Sequence, residues 1–291
     1  MKKIIAMAII VLAMSQKLDA QTGEKTAGTV MISANYSLSG IGFSIKDHDS
    51  GSILTWRDIY LNGAQINVEF NKAPFVFNKT NIGVGFHISF NGYHTDDDAA
   101  NELNVIHIAS TEAILLDLNY EIMLEENRFN PILGMDFYYL KLDNYDAKPY
   151  SLKNNDYKQQ NLTGVVNKSN VINYYLYGGM QVKIVEKKFY MNASGQIGFG
   201  PYLILADWVL RPDFKHPVSF YNISLCFKTG GDLEMGFRLG RFTIFAKALL
   251  IYEIGLGYNE FFFSNGDDPS IQFSSLDFFR PAINAGLKVS F

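Results

Sequence analysis

Cysteine is almost missing from this chain: Cys226 stands alone, so no internal disulfide can form and a disulfide-stapled fold is excluded. Long apolar runs are missing as well. Beyond Met14 no stretch approaches the roughly 20 residues that a membrane-crossing helix needs. There is no basic excess either. The formal net charge is −4, which argues against nucleic acid as a partner. Nothing in the sequence has zinc-ligand spacing, a phosphate-binding glycine loop or a Ser-His-Asp signature, so no cofactor is expected.

What the chain does have is aromatic residues and glycine. Seventeen Tyr, 23 Phe and 24 Gly occur beside many Asn and Ser. This mixture, without continuous hydrophobicity, suits a membrane β-barrel, although a soluble β-sandwich could share it. The N-terminus reads as an export address. Lys2 and Lys3 precede an apolar segment from Ile4 to Met14, and Leu18-Asp19-Ala20 offers the small or aliphatic residues of a cleavage site. Residues 1–20 are therefore expected to be a cleavable signal peptide and 21–291 one barrel domain.

Alternation decides between the two β architectures. From Tyr221 to Leu239 the odd positions include Ile223, Leu225, Phe227, Leu233, Met235 and Phe237. The even positions between them include Asn222, Ser224, Lys228, Asp232, Glu234 and Arg238. Period-2 patterning of this length outruns soluble strands, which favour about 5–6 residues, and fits strands that cross a bilayer on a tilt. Similar alternation covers residues 30–39, 82–91, 172–184 and 189–199. The last strand places Ile283, Ala285, Leu287, Val289 and Phe291 on one face, and its closing Phe resembles the C-terminal signal of outer-membrane barrels.

Ten strands follow, near 28–45, 53–70, 81–93, 105–123, 131–145, 170–185, 189–207, 217–239, 242–260 and 273–291. Short connections (71–80, 124–130, 186–188, 240–241) alternate with long polar ones (46–52, 94–104, 146–169, 208–216, 261–272), as in a barrel with both termini on the periplasmic side. The expected fold is all-β: a ten-stranded antiparallel transmembrane β-barrel in the outer membrane. Aromatic girdles are expected from Phe75, Phe77, Phe129, Phe189, Tyr190 and Phe242 at the turn side. Tyr93, Tyr138, Tyr139, Trp208 and Tyr258 are their counterparts at the loop side. His87, Glu69, Asp117, Asp136, Lys183, Asp232, Glu234, Arg238, Lys247, Glu253 and Lys288 are expected to face inward, the charges pairing as a plug or lining a narrow pore.

Several stretches resemble the omptins, outer-membrane endopeptidases built on tall ten-stranded barrels. Leu54-Thr55-Trp56 followed by Asn62-Gly63-Ala64-Gln65-Ile66 is similar to their second strand. Trp208-Val209, with an Asp and then a His after it, is similar to their fourth outer loop. Ala285 to Phe291 is similar to their final strand. The resemblance implies a water held between a pair of aspartates and an Asp-His couple, with the His as base and the Asp orienting it. Carried onto this chain, the catalytic candidates are Asp96 and Asp98 in the second loop and Asp213 and His216 in the fourth. The family separates its Asp and His by one residue, whereas Asp213 and His216 have two between them. On an extended strand that spacing puts the two side chains on opposite faces. Asp207 is an alternative partner for His216. Three readings stay open: a surface-exposed binding or adhesin barrel, an aspartyl endopeptidase, and a narrow channel. The expected partners are outer-membrane lipid, lipopolysaccharide, and a peptide or host-surface ligand.

Overall fold

In the computed structural model, the structure describes residues 30–47, 53–71, 73, 76–98, 105–125, 128–151, 163–209, 215–262, 270–271 and 273–291. The expected signal peptide lies outside these residues. The strands are β1 (Val30–Asp47), β2 (Ile53–Phe70), β3 (Lys79–Ser89), β4 (Tyr93–Asp98), β5 (Val105–Met123) and β6 (Phe129–Ser151). They continue with β7 (Val165–Glu186), β8 (Phe189–Asp207), β9 (Phe220–Leu239), β10 (Phe242–Phe262), β11 (Ser270–Ile271) and β12 (Phe273–Ser290).

Each strand pairs antiparallel with its neighbours, and β12 pairs with β1, so the sheet closes on itself. β3 and β4 are two pieces of one barrel strand: both pair with β2 and with β5. β11 is a short appendage on β10. Ten barrel strands result, as the alternation predicts. Closure gives each of the ten barrel strands a partner on both sides, which hydrocarbon demands. Strands β6 and β7 are longer than the sequence indicates: the added end of β6 pairs with β5, Ser151 opposite Val105, and the added end of β7 pairs with β6, Val165 opposite Tyr145.

The barrel has two differently built halves. In the half nearer the turns and termini, outward positions are apolar and exposed: Leu116 and Leu118 on β5, Leu133 and Met135 on β6, Phe237 and Leu239 on β9, Ile283 and Leu287 on β12. Inward positions there are polar, with Ser33, Asn35 and Ser37 buried on β1. Toward the loops the polarity swaps. Leu140 and Leu142 turn inward and are fully buried while Lys141 and Asp143 turn outward. Phe278 and Leu276 are buried on either side of outward Asp277. The inward side chains of this half, among them Trp56, Ile59, Leu61, Tyr202 and Ile204, form one packed core across the bore.

The swap locates the bilayer. On β5 the outward positions from Ile122 up to Ile114 are uncharged and Glu112 is the first charge above them, a span close to the roughly 9–11 residues that a tilted strand needs to cross. Above that level the outer wall meets water and the inside takes over as hydrophobic core. Of the girdle candidates, Phe129, Phe189 and Phe242 are exposed at the turn end and Tyr93 toward the loops. Tyr190, Tyr138 and Trp208 are corrected: Tyr190 and Tyr138 point inward onto carboxylates, and Trp208 packs against the core. Phe75 lies outside the described residues, and Tyr258 belongs to the upper part of β10.

Candidate functional site

At the loop end the backbone sets the stage for the second-loop aspartates. β3 stops at Ser89, whose hydroxyl donates to the carbonyl of Asn91 (2.7 Å), and the chain resumes as β4 after Gly92, whose carbonyl accepts from Thr111 N–H (3.0 Å). His94 is buried and stacks on Trp56 with ring centroids 4.4 Å apart. Asp96 and Asp98 follow on the same strand, Asp96 opposite Leu54 and His107, Asp98 opposite Val105. The second-loop pair is thus held on a continuation of the barrel wall rather than on a free loop.

The fourth loop returns at Ser219, which is clasped from two sides. Its N–H donates to Ala206 O (2.8 Å), and its hydroxyl accepts from Trp208 N–H (2.9 Å). Asp213 lies outside the described residues. His216 is exposed and meets Asp207, Nδ1 to Oδ1, at 2.5 Å. Asp207 ends β8 in register with Lys168, at the outward parity of Leu203 and Leu205. A His–carboxylate couple therefore exists at the loop end, built from the alternative partner nine residues upstream.

The turn-end half encloses a chamber of about 310 Å³. It runs from the rim at Glu186 and Arg238 up to Glu253 and Arg280 beneath the apolar core. All ten charged residues expected to face inward line it, as does His87. Their charges interlock. Lys79 bridges Glu69 (2.8 Å) and Glu125 (3.4 Å), and Lys183 meets Glu125 (2.9 Å). Lys288 meets Glu234 (2.5 Å) and Lys247 meets Asp232 (3.1 Å). Lys228 pairs with Asp136 and lies over the rings of Tyr175 and Tyr177. His87 Nε2 contacts Asp117 at 2.9 Å, and Arg280 reaches the same carboxylate at 3.5 Å. Two glycines make the network possible. A Cβ on Gly63 would collide with the His87 ring and one on Gly134 with the Tyr177 ring, so each large side chain lies flat on a bare backbone.

Sequence reasoning missed Glu121, Lys228 and Arg280 as chamber residues and misplaced Tyr138. The parity could have found them: Glu121 is two steps from Asn119 and four from Asp117, and Tyr138 is two from Asp136.

A closed antiparallel sheet with an apolar outer belt, a charged bore and short turns at the terminal end defines an outer-membrane β-barrel protein. No protein-family model matches the chain, and no curated protein matches it in sequence. Among solved structures the chain is similar to the outer membrane protease OmpT from Escherichia coli, with a TM-score of 0.61 and 12% identity over 91% of this chain and 96% of that one. The outer membrane protein OprG from Pseudomonas aeruginosa aligns at TM-score 0.36 and 11% identity, covering 91% and 96% of the two chains. The translocator domain of the autotransporter NalP from Neisseria meningitidis aligns at 0.37 and 10%, covering 98% and 96%. At such identities the OmpT likeness speaks to the fold.

Proposed function

We propose that the protein is a surface-binding barrel, an adhesin-type module that meets a peptide or host-surface ligand with its outer loops and the wall beneath them. One observation carries this reading: the loop-end bore is filled by the packed core of Trp56, Tyr202, Phe278, Leu140 and their neighbours. A bore filled this way leaves no wet path to the outside and argues against the channel reading. A tall wall with charged outward residues such as Arg57, Glu112 and Lys168 is what remains to face other molecules. The test is adherence of cells displaying the chain to a cultured epithelial monolayer, with and without residues 152–162 replaced by a short Gly-Ser link. Loss of adherence in the shortened but folded barrel is expected. Equal adherence would remove the role.

The Asp207–His216 couple supports a second reading, an omptin-like endopeptidase with His216 as base toward a water. The reading needs Asp96 and Asp98 as its second pair of carboxylates, with Asp213 dispensable. A base and its orienting carboxylate at hydrogen-bond distance are what such a step requires. Peptide cleavage in detergent with added lipopolysaccharide decides it. Cleavage by wild type that His216→Ala abolishes would support the enzyme, and absence of cleavage by wild type would end it.

A further inference from the structure

The chamber has an imbalance that its ion pairs leave uncorrected. Nine carboxylates line it against seven Lys and Arg side chains. Seven of the nine have a Lys or Arg within 4 Å. The remaining two, Glu121 and Glu253, have no ion-pair partner among the described residues. They are held instead by neutral donors. Tyr177 Oη donates to Glu121 (3.2 Å), while Tyr138 Oη (3.0 Å), Tyr175 Oη (2.8 Å) and Asn173 Nδ2 (3.3 Å) donate to Glu253.

A second observation is independent of charge. Asn35 and Asn284 line the same chamber from β1 and β12, are 93% and 95% buried, and their side-chain oxygens accept no hydrogen bond from the described residues. Native proteins seldom leave buried acceptors unmatched. Their strands are paired, with Asn284 opposite Ser37 and Asn35 opposite Gly286, so the two amides are near neighbours on one wall. Lys247 is the next residue along that row, opposite Asn284 on β10, and its ammonium is already committed to Asp232. What the chamber lacks is positive charge carrying N–H donors. An anion would add to the excess and bring no donor.

We propose that the chamber is a binding site for a small organic polyamine, entering from the turn end, which in barrels of this kind faces the periplasm. Its volume of about 310 Å³ is at the lower end of ligand pockets. The packed core above makes it blind, so the ligand binds without crossing.

The test is calorimetric titration of the whole barrel in lipid nanodiscs with 1,4-diaminobutane, at about 0.15 M salt so that diffuse attraction is screened. Mg²⁺ and succinate are the comparison ligands. Saturable binding of one diamine per barrel is expected, roughly tenfold weaker in Glu121→Gln because a charge-assisted bond is lost, and weaker also in Asn284→Leu. Each variant is checked for folding by its migration on unheated gels. No binding by wild type, equal affinity in folded Glu121→Gln, or Mg²⁺ binding in preference to the diamine would each overturn the proposal.

Discussion

Glu253 shows how a single charge is tolerated in the middle of this barrel. It is buried where the polar bore meets the apolar core, and three side-chain donors converge on one of its oxygens. Buried carboxylates persist when hydrogen bonds replace the lost water. Removing the acceptor alone leaves the Tyr138, Tyr175 and Asn173 donors facing each other. Glu253→Leu is therefore expected to destabilise the barrel by about 1–3 kcal/mol, read as a shift in the urea midpoint of reversible folding into lipid. Glu253→Gln, which keeps an acceptor, should cost less. Equal losses in the two variants would show that the cage contributes nothing specific.

Among elements, the turns do more than connect. Glu125, between β5 and β6, exchanges backbone and side-chain hydrogen bonds with Asn78 of the neighbouring turn (2.9 and 2.7 Å) and receives Lys79 and Lys183. Burial pushes its carboxyl up, but the two ammonium groups outweigh burial and hold it below its ordinary value of 4.5. A depressed folded-state value means the group stabilises the fold above the ordinary carboxylate range. That contribution fades as pH falls through 4.5 and toward the lower folded value. The stability gap between wild type and Glu125→Gln should accordingly be widest near neutrality and close in acid. A gap that stays constant with pH would contradict the assigned pairing.

The strands themselves were largely legible in the sequence. The segment from Tyr221 to Leu239 declared a strand, and β9 runs from Phe220 to Leu239. The exchange of faces was not legible. On β6 the inward series passes from Asp136 to Leu140 and Leu142 while the outward series passes from Met135 to Lys141 and Asp143. The period stays at two throughout, so periodicity alone cannot say where apolar-out becomes apolar-in. The pairing of His216 was half visible. Asp207 was one of two candidates, and only the hairpin between β8 and β9 brings residues nine apart into contact.

For the whole molecule, the two halves obey one physical rule applied to two solvents. Where lipid surrounds the wall, apolar side chains point out and charges are gathered inside as pairs. Where water surrounds it, charges point out and Trp56, Leu140 and Phe278 fill the centre as in a soluble protein. The measurement that tests this division most directly is labelling by a membrane-impermeant maleimide in liposomes, with Cys226 replaced by Ser and one new cysteine at a time on the outward face of β5. Glu112→Cys, above the belt, is expected to label rapidly, and Leu116→Cys, two outward positions below, to be protected until detergent is added. Rapid labelling of Leu116→Cys in intact liposomes would contradict the placement of the bilayer and, with it, the reading of the lower half as the membrane-spanning barrel.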